Sequence, residues 1–419
     1  MHVLLVHQVF VRPDDPGGTR HFELAARLAK NGHRVTILAS SQSYQTGQKL
    51  TAVRRETLTP GVEVRRCWVA GSFTHSFVSR TVGFLSFILS SLVEGWRVRG
   101  VDVVWGTSPP LLQVASAWAL ARTKRVPLVF EVRDLWPAFA IQVGVLRNPL
   151  LISLSRWLER FLYRHADRII INSPGFADHL EHAGADRARL SLIPNGVDTR
   201  MFDPRADGTA WRGQHGLQRE CVAMYAGAHG LSNDLGVLLE AAQHLQANPE
   251  IVILFVGDGK EKPRLEAEAS SRGLANVRFL PAQAKSQMPA ALAAADCGIA
   301  ILKPLPLYAT TFPNKVFDYM AAGKPVVLAI DGVIRRVVEQ AHAGVFVPPG
   351  DAARLAEAIS WVAEHPREAR EMGNRGRACV EAGYDRELAA QLLERLLQEV
   401  VARSGRRTAT RTDGPWEKP

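Results

Sequence analysis

The 419-residue sequence is poor in cysteine, and its four cysteines form no Cys-x-x-Cys pair. Cys67, Cys221, Cys297 and Cys379 lie far apart along the chain. This scatter argues against a disulfide framework or a zinc site and fits a reducing compartment. We therefore expect a cytoplasmic protein. The first residues enter a strand pattern at once, so we expect no signal peptide.

Long hydrophobic segments are also missing. The most apolar helix candidate is Val82–Val98, and its apolar core is shorter than the roughly 20 residues that span a bilayer. Because Arg80, Arg97 and Arg99 flank it, the helix could lie on an anionic membrane surface. The alternative, which we favour, is a helix packed against the rest of the protein.

The composition is that of a soluble globular protein, with 47% hydrophobic and 22% charged residues. A chain of this length exceeds what one hydrophobic core serves, so we expect two domains. The net charge of +10 lies almost wholly in Met1–Asp203, which has 25 basic and 16 acidic residues, against 26 and 25 in the remainder. A basic first half suggests an anionic partner such as a lipid surface or a lipid-phosphate substrate. No recognisable nucleic-acid-binding module accompanies the charge, so we expect no nucleic acid partner.

Alternating strand and helix patterns divide the chain into two α/β series, which predicts two doubly wound sheets. The first series opens with the strand His2–His7, a glycine loop, the helix Arg20–Asn31 and the strand Arg34–Ala39. Its later strands are predicted at Val62–Val69, Val101–Gly106, Leu128–Arg133, Arg168–Asn172 and Leu190–Pro194. The second series has strands at Cys221–Tyr225, Ile251–Val256, Val277–Leu280, Cys297–Leu302, Pro325–Leu328 and Gly344–Val347.

The stretch Thr310–Val327 carries the clearest functional pattern, because a loop runs into a helix and then a buried strand. Pro313 suits the first turn of a helix, whose free N–H groups favour a phosphate. Lys315 lies in that turn, where a cation needs an anionic partner. Asp318, about one turn later, is placed to accept hydrogen bonds from sugar hydroxyls. An ordinary loop–helix–strand unit of an α/β domain stays the alternative.

A second cluster of polar residues follows the predicted strand Leu128–Arg133. Glu131, Arg133, Asp134 and Trp136 lie where open α/β sheets bind ligands. They need a ligand or one another, and a purely structural ion network is the other interpretation.

Glycine turns follow several strands. Gly17 and Gly18 follow the first strand, Gly227 follows the first strand of the second series, and Gly257-Asp258-Gly259-Lys260 follows the next. The first turn lacks Gly-x-Gly-x-x-Gly, which argues against an NAD-dependent dehydrogenase.

Taken in order, these motifs make the chain resemble the GT-B glycosyltransferases of family four. They are Pro-Gly-Gly-Thr, Glu-Val-Arg-Asp-Leu-Trp-Pro, Ile-Pro-Asn-Gly-Val-Asp, Tyr-Ala-Gly, Val-Gly-Asp-Gly and Phe-Pro-Asn-Lys-Val-Phe-Asp-Tyr-Met-Ala-Ala-Gly-Lys-Pro-Val-Val. The resemblance covers about residues 1–400 and is closest to the bacterial fucosamine-transferase-like branch that builds O-antigen and capsule polysaccharides.

The resemblance implies two Rossmann-like domains facing an interdomain cleft. An acceptor-binding domain would cover 1–203 and a nucleotide-sugar-binding domain 204–383. A helix over 384–403 would cross back to the first domain, and 404–419 would form a disordered tail. It implies no cofactor beyond a UDP-sugar co-substrate. With no Asp-x-Asp pair in the chain, no catalytic metal is expected.

The chain departs from the family pattern at the donor site. Thr310 and Asp318 stand where the family has two glutamates, and the usual Arg and Lys after the first C-terminal strand are absent. A departing diphosphate still needs positive charge, so we expect lysines, His229 and a helix N-terminus to supply it. The predicted nucleotide-sugar-binding residues are Gly17, Gly18, Gly227, His229, Lys260, Lys303, Thr310, Thr311, Asn314, Lys315 and Asp318.

On the acceptor side, Arg133 replaces a histidine that family members often carry. Arginine is no base at neutral pH, so it would hold a phosphate or a sugar hydroxyl. Asp134 is then the candidate base. The predicted catalytic residues are Asp134, Arg133 and Lys315, and the predicted acceptor-binding residues are Arg133, Trp136 and Glu131.

Three functions follow from the resemblance. The leading one is transfer of a sugar of the N-acetylated hexosamine type from a UDP-sugar to a lipid-linked or saccharide acceptor, at the inner face of the plasma membrane, with retention and inversion both open. The others are a UDP-sugar 2-epimerase and a nucleotide-sugar-binding protein without catalysis.

Overall fold

Two mainly parallel β-sheets organise the chain in this computed structural model, one sheet in each of two compact units. The structure describes residues 1–13, 15, 17–43, 54–71 and 77–412. The first unit contains Met1–Val11, Thr19–Ile193 and the chain from Ala389, and the second contains Arg12–Gly18 and Pro194–Leu388. Pro16 of the Pro-Gly-Gly motif and residues 413–419 of the predicted tail lie outside the described residues.

The first unit is a sheet of eight strands with the order β3-β4-β2-β1-β5-β6-β7-β8, in which only β3 and β4 pair antiparallel. Its elements are β1 (His2–Val6), α1 (Arg20–Lys30), β2 (Arg34–Ser40), β3 (Arg55–Thr59), β4 (Val62–Cys67), α2 (Phe77–Trp96), β5 (Val103–Ser108), α3 (Leu112–Lys124), β6 (Leu128–Val132), α4 (Ala138–Gln142), α5 (Pro149–His165), β7 (Arg168–Ile171), α6 (Ala177–His182) and β8 (Leu190–Leu192).

The second unit is a sheet of six parallel strands with the order β11-β10-β9-β12-β13-β14. Its elements are α7 (Thr209–Gln214), β9 (Cys221–Ala226), α8 (Leu235–His244), β10 (Ile251–Val256), α9 (Lys262–Ser271), β11 (Val277–Leu280), α10 (Met288–Ala293), β12 (Cys297–Ile301), α11 (Asn314–Ala321), β13 (Val326–Ala329), α12 (Val333–Gln340), β14 (Gly344–Phe346), α13 (Ala352–Glu364) and α14 (Pro366–Gly383).

The central strands are continuous apolar runs that are buried along their whole length, as in β1 and β10. Such runs are typical of parallel strands covered by helices on both faces. The predicted α/β fold with two Rossmann-like domains is thereby confirmed. The edge strand β3 was not predicted, because its polar sequence stays partly exposed and shows no buried face.

The last helix, α15 (Arg386–Thr412), returns to the first unit as predicted. Its Ala389, Leu393 and Leu397 are buried in the core cluster that contains β1 and β2. The helix extends past the predicted end at Arg403 to Thr412. No proline interrupts the segment before Pro415, so the helical hydrogen-bond pattern can continue.

Candidate active site

In the second sheet the direction of strand succession reverses at β9, which pairs with β10 on one side and β12 on the other. Ligands of open α/β sheets bind at the carboxyl ends of strands beside such a reversal. Gly227 follows β9 at this point and Lys303 follows β12, so both predicted binding residues lie at the expected edge.

Glycines let three stretches of backbone approach closely here. Gly227 has a φ of 149°, and a Cβ atom on it would lie 3.0 Å from Lys315 Nζ. A Cβ on Gly257 would lie 1.9 Å from the Gly227 carbonyl oxygen, and one on Gly259 would lie 2.3 Å from the His229 carbonyl oxygen. The first of these contacts places the amine of Lys315 against the turn that follows β9.

Lys315 presents a buried amine without a counter-charge. Its Nζ lies 3.7 Å from the ring centroid of Tyr225 and has no hydrogen-bond partner among the described residues. Burial lowers the pKa of this amine from 10.5 to about 7. A buried ammonium group is costly unless it is paired, so this position favours an anionic ligand.

His229 is a second buried group without a partner. The residue is fully buried, and neither ring nitrogen has a hydrogen-bond partner in the described part of the chain. Burial, followed by the nearby charge of Lys262, lowers its pKa to about 4, with Asp258 opposing. The neutral imidazole has one N–H to donate and one nitrogen to accept.

Asp318 is held by a residue that the sequence analysis missed. Both of its carboxylate oxygens lie 2.9 Å from Lys285 Nζ, and both side chains are partly exposed. Lys285 precedes Asp318 by 33 residues, so no spacing rule could have indicated the pair.

The remaining predicted donor residues differ in availability. The hydroxyls of Thr310 and Thr311 donate to the carbonyl oxygens three residues earlier, at 2.6 and 2.8 Å. Asn314 is exposed at the start of α11, and Lys303 is half-buried.

Near Gly257 the interacting cation is Lys262, and the predicted Lys260 is exposed instead. Lys262 Nζ donates to the carbonyl oxygens of Gly257 and Leu280, each at 3.0 Å. Lys262, the first residue of α9, thus holds the Gly257 turn, and the ligand contact expected of Lys260 stays a prediction. Gly17, with a φ of 136°, and Gly18 belong to the segment that groups with the second unit.

In the first sheet the reversal lies at β1, between β2 and β5. Arg133, just after β6, donates from Nε to Thr107 Oγ1 at 3.0 Å, and its Nη2 lies 3.4 Å from His7 Nε2 and from the Pro109 carbonyl oxygen. The strand ends thus fix the guanidinium in one orientation, at the edge where a ligand is expected.

Glu131 is a buried anchor and not an exposed acceptor ligand. It has no exposed surface, and its two oxygens lie 3.1 Å from Arg20 Nε and 2.6 Å from His21 Nε2. Burial raises the pKa of this carboxyl, but His21 and Arg20 outweigh it and hold the pKa well below its ordinary value. The structure therefore favours an ion network at Glu131 over the predicted direct acceptor contact.

Two histidines complete this network and were not anticipated. The rings of His7 and His21 lie 4.1 Å apart, and the Nδ1 atom of each lacks a hydrogen-bond partner among the described residues. Burial lowers the pKa of His21 to about 4, against the opposing effect of Glu131, and lowers that of His7 well below 6.5. His7 follows the end of β1 and His21 lies in α1, so the two rings come together only when the sheet and its helix pack.

Asp134 and Trp136 lie just beyond β6, with Trp136 half-buried. Desolvation by the surrounding protein raises the pKa of Asp134 to about 6, and the positive charge of Arg133 opposes this rise. The residue is nevertheless exposed, so contact with water limits that rise. A carboxylate with a raised pKa at a strand end suits a general base.

No group of three or more His, Cys, Asp or Glu side chains within the described ranges is placed to hold a metal ion. Likewise, no described helix is long and apolar enough to cross a membrane.

Two sequence families match the chain. Residues 17–196 match the glycosyl transferase 4-like domain, and residues 208–378 match the glycosyl transferases group 1 domain. The D-inositol 3-phosphate glycosyltransferase of Geodermatophilus obscurus is 30% identical over 410 residues, covering 93% of this chain and 84% of that protein. WcaI of Escherichia coli (strain K12), named for colanic acid biosynthesis, is 25% identical over 340 residues, covering 78% and 83%.

Solved structures share the fold at lower identity. Sucrose-phosphate synthase from Thermosynechococcus elongatus superposes with a TM-score of 0.79 at 20% identity, covering 96% of this chain and 99% of that one. Anabaena HepE in complex with UDP-glucose superposes with a TM-score of 0.72 at 19% identity, covering 95% and 100%.

Proposed function

Because the chain belongs to the glycosyltransferases built from a 4-like domain and a group 1 domain, we propose that it transfers a sugar from a UDP-sugar to a lipid-linked saccharide. Two buried groups beside the Gly227 turn carry the donor half of this proposal, because Lys315 Nζ and the His229 ring have no hydrogen-bond partner in the described part of the chain. A diphosphate would give both groups a partner.

In the proposed reaction a hydroxyl oxygen of the acceptor forms a bond to the anomeric carbon while the bond from that carbon to the diphosphate breaks. UDP leaves with the bonding electron pair, and the hydroxyl proton passes to Asp134 or to the departing phosphate. Lys315, His229 and the N-terminus of α11 stabilise the charge on the phosphate, with no metal ion required. Asp318 accepts hydrogen bonds from the ribose hydroxyls. Its carboxylate oxygens would then be shared between the ribose and Lys285.

The acceptor half rests on the first unit. Arg133, oriented by Thr107 and His7, would bind a phosphate or hydroxyl of the acceptor, and Trp136 would stack on a sugar ring. The relative WcaI is named as a putative glycosyl transferase of colanic acid biosynthesis, which supports a saccharide acceptor. We place the reaction in the cytoplasm, at the inner membrane face, with a hexosamine-type sugar as in the fucosamine-transferase-like branch.

The test is UDP release from a panel of UDP-sugars, with and without a lipid-diphosphate-linked saccharide. We expect acceptor-dependent release that Lys315→Met lowers at least tenfold, while Lys30→Met, an exposed lysine on α1, leaves it unchanged. NMR of the UDP-sugar incubated alone separates an epimerase from a transferase. Binding of UDP without release under any acceptor would leave a nucleotide-sugar-binding protein and refute the proposal.

A further inference from the structure

Helix α2 turns its small residues inward. Gly83, Ser86, Phe87, Ser91 and Gly95 form its buried face. A Cβ atom on Gly95 would lie 2.5 Å from a methyl carbon of Leu120 in α3. Ser91 Oγ donates a hydrogen bond to Ser116 Oγ, which also belongs to α3, at 3.0 Å. Close packing against α3 therefore uses glycine and serine, and Phe87 is the one large apolar side chain of α2 that is fully buried among its described residues. Five other large apolar side chains of the helix stay exposed.

Those large side chains form one exposed row, which we call the α2 stripe. Its members follow at intervals of three and four residues, so they share one helix face. At 1.5 Å per residue the row is about 21 Å long. It consists of Val82 (43% exposed), Leu85 (50%), Leu89 (68%), Val93 (52%) and Trp96 (71%).

Helix α5 carries a second exposed row, the α5 stripe, made of Leu150 (74% exposed), Leu154 (56%) and Trp157 (58%). Exposed arginines at 156, 160 and 164 follow one another at intervals of four residues beside it. None of these three arginines forms an ion pair with a described residue, and the one acid of the helix, Glu159, is buried.

The helices that carry the two stripes share one neighbour in the first unit, because α3 contacts both α2 and α5. Exposed apolar surface of this extent is unusual on a monomer and marks an interaction site. The unpaired arginines indicate that the partner surface is anionic.

We propose that the α2 and α5 stripes dock the first unit onto a bilayer containing anionic lipid. Apolar side chains with a tryptophan at one end of each row, bordered by arginines, have the chemistry of helices that lie in the membrane interface. The proposed function places the protein at the inner membrane face, and the two stripes would be the surface that contacts the membrane there. Vesicle binding can be measured without donor or acceptor, so the membrane surface and the transferase activity are tested separately.

The test is sedimentation of the full chain with vesicles of phosphatidylcholine alone or mixed with phosphatidylglycerol. We expect binding to the mixed vesicles, a loss of at least tenfold in the Leu85→Gln/Leu89→Gln variant, and a loss of the anionic preference in Arg156→Gln/Arg160→Gln. Leu192→Gln, an exposed leucine on β8, and Arg367→Gln in α14 serve as matched controls with unchanged binding.

Circular dichroism and urea unfolding establish that each variant is folded. No sedimentation of the wild type, or equal loss in the control variants, would overturn the inference. A different result in light scattering would also overturn it. If the wild type were a dimer that bound no vesicles, and Leu85→Gln/Leu89→Gln converted it to a monomer, the α2 stripe would join two copies of the chain.

Discussion

Replacing Lys315 by methionine should stabilise the ligand-free protein while weakening donor binding. Burial lowers the pKa of the amine from 10.5 to about 7. At 1.36 kcal/mol per pKa unit this shift corresponds to a cost of about 5 kcal/mol for keeping the ammonium charged in the folded state. Loss of the cation–π contact with Tyr225 offsets ~1–2 kcal/mol of the gain, so we expect a net gain of about 3 kcal/mol.

The pH dependence gives the sign of the effect. Below pH 7 both folded and unfolded chains hold the proton, so the full cost applies and Lys315→Met shows its largest gain. Between pH 7 and 10.5 the folded wild type releases the proton before the unfolded chain does, so its stability rises and the gain shrinks. Urea unfolding at pH 6 and pH 9.5, followed by circular dichroism, measures both ends.

The same variant should bind the UDP-sugar at least tenfold more weakly in calorimetry, because a charged hydrogen bond to phosphate is lost. Lys30→Met provides the control for removing a lysine from an exposed helix. If Lys315→Met were less stable than wild type at pH 6, or if the difference were the same at both pH values, the amine would not be an unpaired buried charge. Lys315 would then not be the buried cation that binds the donor diphosphate.

Three further outcomes are expected. Asp318→Asn should raise the donor KM about tenfold with little change in melting temperature, because its partly exposed ion pair with Lys285 contributes only ~0–1 kcal/mol. Arg133→Ala should raise the acceptor KM or lower kcat while calorimetry shows unchanged UDP affinity, and an unchanged acceptor KM and kcat would count against its role. Glu131→Gln should lower the free energy of unfolding by ~3–5 kcal/mol in urea, because it removes the buried negative charge that pairs with both Arg20 and His21; a loss below 1 kcal/mol would contradict the ion network.

Local patterns in the sequence predicted every strand of the two sheets except β3. The buried strands read as short apolar runs bounded by turns, and a parallel strand covered on both faces needs no more than that. The start of α11 at Asn314 after Pro313 was equally local, because a proline at a helix entry restricts its own backbone. The family resemblance placed the predicted donor residues other than Gly17 and Gly18 in the second half, where the amine of Lys315 lies against the Gly227 turn.

The partners of the polar groups could not be predicted in this way. Lys285 reaches Asp318 across 33 residues, and His21 reaches Glu131 across 110. Both contacts arise because the parallel sheets bring together helices and loops that are far apart along the chain. The contact of Lys262 with the Gly257 carbonyl oxygen depends on the direction of one side chain at the first turn of α9.

Helix α2 shows the same division. Its apolar sequence established a helix that is too short to cross a membrane, while membrane contact and internal packing both remained open. Only the packing against α3 decided which side faces out, because Gly95 and Ser91 fit where a larger side chain would collide. The sequence alone determined the strands other than β3 and their order along the chain, since these depend on neighbours along the chain. The tertiary structure decided which charges are paired and which apolar faces stay exposed, since these depend on neighbours in space.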